Sequence, residues 1–404
     1  MKKALVILLA LSMVFAAFAD DPAVLNEIAE FKGSATVTWG VDLDAKSTGF
    51  RNDTSASLKF NLINDGSKST TGEGVWGEIA VSLDSDDGVR YVDGSWETVK
   101  VTVDKAKLHI NDMIAVGILS GSNAYGKYEP ITAVKSKGHF PTANVGGNVK
   151  QGITLEVALP DLLDLNIDFR SEDITDADGT KADYTNNYGI GTSLAVKAVE
   201  NLNLKLGFGI DFYGNNPWGL SASADYKLGL SDTMYLKPQV AFTMTDAADS
   251  GKIAAALLVG WGSENQDTNI KWISQKVSDG FSVATEIPFA SNAAIPLCVG
   301  VWDSTFVENL KVGAQFHMDN LSDFDAGNTL AFEFAYTLGD IKPAFAFAMD
   351  NGGDLAWTDA LKICFTLDYT GIANTTFTLG YESGNLKAST AQIGQIWTSA
   401  KISF

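Results

Sequence analysis

The chain has 404 residues and a formal net charge of -20, with 49 acidic side chains against 29 Lys and Arg. That sign excludes nucleic acid as a partner, because binding phosphates needs the opposite charge. Two cysteines in such a length exclude a disulfide-stapled scaffold.

In chain order the first element is a leader. Lys2 and Lys3 precede an apolar run from Ala4 to Phe18, and Ala17-Phe18-Ala19 has the small-x-small spacing of a cleavage site. Residues 1–19 therefore read as a signal peptide removed after Ala19, which takes the formal charge from -20 to -22. Residues 20–32 follow as a short periplasmic segment. No later run has the length of a membrane helix; Ile253 to Trp261 is the longest candidate, at nine residues. A chain that enters a membrane without such a helix has one permitted form, a closed barrel.

The strands support that form. Ala35, Val37, Trp39, Val41 and Leu43 alternate with Ser34, Thr36, Thr38, Gly40 and Asp42. Val75, Ile79, Val81 and Leu83 alternate next, whereas Asp112–Gly147 is Gly-rich and reads as irregular. Leu202, Leu204, Leu206, Phe208, Ile210 and Phe212 then hold a period of two against Asn203, Lys205, Gly207, Gly209, Asp211 and Tyr213. Residues 268–278 are the one candidate for a short helix. The pattern returns at Leu310 to Asp319, Phe332 to Leu338, Ile341 to Met349, Leu361 to Tyr369 and Phe377 to Tyr381. It ends with Ile396, Thr398, Ala400, Ile402 and Phe404 on one face, and an apolar face at the last strand is acceptable only in lipid.

A soluble sandwich also alternates. Strand lengths of nine to twelve residues favour a barrel, as does the Gly, Ala, Ser, Thr and Lys of the other face. So do aromatics near strand ends: Phe212-Tyr213, Trp218, Trp261, Tyr336, Tyr369 and Tyr381. Working back from Phe404, long connections (383–391, 350–360, 319–329) alternate with short ones (370–374, 339–340). The turns VEN (199–201, 307–309), LSD (230–232) and LGD (338–340) recur as a weak repeat. The fold class is all-β: a transmembrane antiparallel up-and-down β-barrel of about 18 strands (16–20), with short periplasmic turns and longer extracellular loops.

Enzyme chemistry has little footing. His109, His139 and His317 have no metal-ligand or triad neighbour at a recognised spacing, and no G-x-S-x-G, H-E-x-x-H or phosphate loop occurs. No catalytic, metal or cofactor site is expected. The stretch 173–183 offers Asp176, Asp178 and Asp183 as calcium ligands but lacks EF-hand spacing, and a solvated loop is the better reading. Asp84, Asp86 and Asp87 read as a turn. Candidate function rests on the polar face. Lys59, Glu78, Glu156, Asp168, Lys205, Asp225, Lys227, Lys237, Lys311, Glu333, Lys362, Asp368, Glu382 and Lys401 fall there, where charges bias ion selectivity. Cys298 and Cys364 share that face four strands apart, about 19 Å of sheet, so both are expected as free, lumen-facing, reactive thiols.

Residues 33–52, GSATVTWGVDLDAKSTGFRN, followed by SASLKFNLI at 55–63, resemble the N-terminal region of the treponemal major outer sheath protein family. Phe404 and the ENLKVG-type strand starts resemble that family's C-terminal region, with Phe404 in the place of a barrel-terminal signal. The resemblance implies a surface-exposed porin and antigen of the spirochaete outer membrane, usually a homotrimer in contact with outer-membrane lipid. It also implies an alternative role, an adhesin for host extracellular-matrix proteins with the barrel as anchor. The expected domain is a barrel over 33–404; the family's bipartite description offers 33–150 as a periplasmic domain and 151–404 as the barrel.

Overall fold

The computed structural model describes residues 29–63, 76–84, 100–120, 151–171, 188–212, 215–246, 251–261, 279–323, 327–351 and 361–404. The leader at 1–19, the helix expected within 268–278, the acidic stretch 173–183, His139, Asp86 and Asp87 lie outside them. The strands are β1 (Ala29–Asp42), β2 (Ser47–Ile63), β3 (Trp76–Asp84), β4 (Lys100–Asn111), β5 (Ile114–Ser120), β6 (Gln151–Leu159) and β7 (Leu163–Ser171). There follow β8 (Tyr188–Val196), β9 (Leu202–Asp211), β10 (Trp218–Tyr226), β11 (Leu228–Gly229), β12 (Met234–Thr245), β13 (Lys252–Trp261) and β14 (Gly280–Pro288). The last are β15 (Leu297–Asp303), β16 (Leu310–Met318), β17 (Asn328–Tyr336), β18 (Ile341–Asn351), β19 (Leu361–Ile372), β20 (Thr375–Glu382) and β21 (Gln395–Ser403).

Each strand pairs antiparallel with its chain neighbours, and the two-residue β11 merely continues the pairing of β10 along β12. The ring closes where β1 meets β21, from Ser34 opposite Ser403 to Asp42 opposite Gln395. With β10 and β11 sharing one place in the wall, the 21 segments make a closed barrel of twenty strands. That is two more than the central expectation of 18 and within its range. The stretch around Asp112–Gly147 hides part of the difference: β4 turns on Asp112-Met113 alone and returns as the short β5, with Gly117 at its middle.

One face of the wall is aliphatic and accessible, the other small, polar and crowded. Leu257 is 39% exposed and the next residue, Leu258, 2%. The accessible side must be the convex one, where side chains splay apart, so the apolar set points outward, as lipid contact requires. Outward aromatics mark both ends: Phe31, Phe404, Tyr226, Trp261, Tyr336 and Tyr369 at one rim, Trp39, Phe50, Phe169, Tyr188 and Trp218 at the other.

The first of these rims carries the tight turns. Asn201, Asn309 and Asn374 are left-handed there (φ 62°, 64° and 57°), and Gly339 has φ 58° at the first central position of its turn. Asn and Gly tolerate that backbone where most residues do not. This is the physical content of the VEN and LGD repeats. Each turn is then held by the strand that follows. Lys227 N–H donates to Asn201 C=O (2.9 Å), Thr337 to Asn309 (2.9 Å), Thr370 to Asp340 (2.8 Å) and Ser403 to Asn374 (2.8 Å). Alternation of loop length is not strict: the connections 64–75 and 262–279 leave from this short-turn rim, and the turn 43–46 sits on the other.

The seam is fixed at both ends. At the short-turn rim Gly33 and Phe404 exchange two backbone hydrogen bonds (2.7 and 2.9 Å), and the Phe404 ring stacks on Phe31 at 5.2 Å. At the other rim both Asp44 carboxylate oxygens accept backbone N–H groups, of Ile393 at 2.7 Å and Gly394 at 2.8 Å. A Cβ at Gly33 would lie 2.7 Å from the Phe404 ring and 2.8 Å from the Ser55 carbonyl. Gly33→Val should therefore cost about 1–3 kcal/mol through overpacking. Phe404→Ala should cost about 1 kcal/mol in lost ring stacking. Both are read as a lower temperature at which the unboiled, fast-migrating barrel species disappears on gels.

Candidate functional site

The inner wall is the candidate site, and strand register assigns its residues. Lys205 on β9 lies opposite Ala195 and Ser223; Asp225 on β10 opposite Asn203 and Gln239. Lys311 on β16 faces Ala335, Glu333 on β17 faces Gly313 and Ala346, and Lys362 on β19 faces Ala348. Asp368 lies between Lys342 and Thr378, Glu382 between Cys364 and Gln395, and Lys401 between Thr36 and Thr376. Lys227 stands just past β10 with its Nζ 4.5 Å from the centre of the Tyr235 ring. All of these positions share the parity opposite to the aliphatic face. By register Lys59 lies opposite Ala80, and Glu78 opposite Asn61.

Antiparallel alternation from a known rim also orders the charges along the barrel. Lys205, Asp225, Lys227, Lys311, Glu333, Asp368 and Lys401 lie towards the short-turn rim, while Lys362 and Glu382 lie towards the other. Several acids have close partners on the wall. Asp225 receives Lys237 Nζ at 3.1 Å and Asn203 Nδ2 at 2.9 Å. Asp368 accepts the Thr378 hydroxyl at 2.6 Å, and Asp164 pairs with Lys197 at 2.6 Å. Lys107 on β4 pairs with Glu156 on β6, two strands away. The intervening strand permits this because its inward residues are Ala115 and Gly117, with Lys107 Cγ lying 3.4 Å from where a Gly117 Cβ would stand. Near the long-connection rim Lys252 pairs with the buried Glu286 at 2.8 Å. In contrast Lys311, Lys342 and Lys401 are exposed and make no ion pair among the described residues. The pairs lower the local field of the acids, and the three exposed lysines keep theirs.

The inner wall is also uneven in accessibility. Across β13–β18 its residues Ala254, Ala284, Cys298, Trp302, Gln315, Ala331 and Ala348 are all buried. Over these positions the small, polar face is covered. The cysteines follow suit. Both are free and four strands apart, as expected, but Cys298 is 1% exposed and Cys364 4%, and Gln315 Nε2 donates to Cys298 Sγ at 2.8 Å. They are buried thiols rather than accessible ones. His317 donates to or accepts from Asp319 at 2.7 Å, its ring buried on the inner face. Among the described residues no group of three His, Cys, Asp or Glu could hold a metal ion.

Sequence reasoning missed Lys107, Lys252, Glu286 and Lys342. The parity rule that selected the other candidates would have found them. What no pattern offered was the pairing of Lys107 with a residue 49 positions away.

No family model matches the chain. Two curated relatives do: the major outer membrane protein MspA of Treponema maltophilum, 48% identical over 142 residues, and the major surface protein MspTL of Treponema lecithinolyticum, 44% identical over 134. Each match covers 31% of this chain, and it spans 24% of the first relative and 22% of the second. The resemblance to the treponemal surface proteins therefore holds over about a third of the sequence. Among solved structures, a mutant of the Rhodopseudomonas blastica porin aligns over 93% of this chain and all of its own, with TM-score 0.42 and 11% identity. OpdQ of Pseudomonas aeruginosa aligns over 93% and 98%, with TM-score 0.44 and 9% identity. The apolar outer belt is the surface a membrane-spanning barrel presents to lipid.

Burial of both thiols sets an expected outcome. The folded barrel should take up no maleimide at Cys298 or Cys364 over a labelling time that saturates an exposed cysteine, and two per chain after denaturation, counted by intact mass.

Proposed function

We propose that the chain is an outer-membrane porin, a passive, non-catalytic, water-filled channel for ions and small solutes, with its longer connections exposed as a surface antigen. The observation that carries the reading is the inward set of exposed lysines, Lys205, Lys311, Lys342 and Lys401, on the same wall whose outer face is apolar. Charged side chains kept in water inside an apolar shell are what a conducting pore needs. The names of the relatives support the compartment; the channel is this chain's own chemistry. We further propose that residues 33–404 act as one barrel, a reading supported by β1 to β5 being hydrogen-bonded into the ring. The functional form is a homo-oligomer, by resemblance a trimer, and binding of host matrix proteins is the competing role.

Purified protein in a planar lipid bilayer should give stepwise conductance. Replacing Lys311 and Lys401 together by Glu should move the zero-current potential in a salt gradient towards cation preference. A barrel that folds yet stays silent would overturn the channel and favour an anchor for an adhesin.

Orientation is proposed with the short-turn rim in the periplasm. The connections 319–327 and 352–360 then face outward, so an epitope tag inserted at Gly352 should be reached by antibody on intact cells. Labelling only after permeabilisation would invert the barrel.

A further inference from the structure

Beside the seam, away from the covered sector, the inner wall carries a single large ring. Trp397 on β21 lies between Gly380 on β20 and Gly40 on β1, on the same parity as Lys401. Its indole lies across Gly380, where a Cβ would collide with ring atoms Cζ2, Cε2 and Cη2. Three atoms of the six-membered ring at one point put the flat of the indole over the strand. The other side is bare. A Cβ at Gly40 would meet nothing nearer than 3.5 Å, and one at Gly49, its register partner on β2, nothing within 4 Å. The ring is half-buried, with one face on the wall and the other towards the lumen.

Uncharged polar groups surround this platform. Thr366 lies across Gly380, Gln395 and Ser399 stand two residues either side of Trp397, and Thr38 is opposite Ser399. Among the described residues none of these four makes a side-chain hydrogen bond; Gln395 is exposed and the others half-buried. Cross-strand neighbours on one face stand about 5 Å apart and diagonal ones about 7–8 Å, so the four enclose the area of one stacked ring. Each can both donate and accept. The register partners of Gln395 are acids, Asp42 and Glu382, which disfavours an anionic ligand. Both are already engaged, Asp42 by the N–H groups of Asp44 and Ala45 (2.9 and 2.7 Å), so neither is a free counter-charge for a cation.

A ligand here must be flat and apolar on one face, rich in hydroxyls at its edge, and neutral. A sugar ring has those properties. We propose that Trp397 is a stacking platform for neutral saccharides, with the C–H face of a pyranose on the indole and its hydroxyls on Thr38, Thr366, Gln395 and Ser399. The platform lies near the long-connection rim, one inner position below Gln395, so a solute entering from that side meets it early. The inference rests on the channel reading and names a class of solute for it.

The test is single-channel recording with maltotriose, against glycerol at equal mass concentration as the control for viscosity. Maltotriose should interrupt the current saturably and glycerol should not. Trp397→Ala should raise the half-blocking concentration about ten-fold, the worth of one stacking contact. Gly380→Ala, which keeps the indole but lifts it off the wall, should raise it by less. Caffeine, flat but without hydroxyls, should not block. Maltotriose acting no better than glycerol, equal block by caffeine, or indifference to Trp397→Ala in a barrel that still migrates as folded on unboiled gels would overturn the site and leave the channel standing. A folded barrel that never conducts would sink the channel reading instead. The platform is then read by saturation-transfer NMR with maltotriose in a sugar-free detergent: transfer to the sugar C–H protons that disappears in Trp397→Ala upholds it, and no transfer overturns it.

Discussion

Within hydrocarbon every backbone N–H and C=O must find a partner in the protein itself. For strands this leaves a closed ring, and the ring in turn fixes most of the molecule. Because each hairpin reverses direction, an even number of strands is needed for β21 to run antiparallel to β1. Because closure must be complete, the last residues cannot fray: Phe404 exchanges backbone hydrogen bonds with Gly33, and Asp44 holds the far end of the seam. Side-chain choice follows from the same demand. The seam admits Gly33 where the Phe404 ring lies down, and a larger residue would force the two strands apart.

Inside the wall the governing cost is that of bringing charges together in a narrow space. The chain answers it by pairing Glu156, Asp225 and Glu286 with lysines and by choosing small residues where a long side chain must cross a neighbouring strand. Lys107 reaches Glu156 only because Ala115 and Gly117 lie between. The same economy of size recurs across β13–β18, where inward alanines, glycines and Cys298 form a flat, covered sector. Lys311 and Lys342 stand on strands of that same sector, near the short-turn rim, and Lys401 on β21.

Much of the fold was legible in the sequence because a period of two is a property of each strand alone. Leu202 to Phe212 and Ile396 to Phe404 announced their outer faces without reference to any neighbour. Turn positions were legible for a similar reason: Asn201, Asn309 and Gly339 are local solutions to a local backbone problem. What depends on the neighbour was not legible. The strand total rested on whether a broken stretch such as Ile114–Ser120 finds partners on both sides. The burial of Cys298 depends on what lies over the inner wall, and alternation records only which way a side chain points. Ala284 and Gln315 look identical to wet-wall residues in sequence, and differ from them only in three dimensions.

The stitched turns carry one more implication, about the order in which the barrel is made. At Asn201, Asn309, Asp340 and Asn374 the carbonyl of the earlier hairpin is the acceptor, and the donor always comes later in the chain. Each turn is thus fixed to the segment after it, so the register of one hairpin is carried to the next. Inserting a single residue early, in β9 for instance, would leave the following strand to choose between its template and its face, since a slip by one exchanges lumen for lipid. The same insertion in β20 would disturb the seam alone.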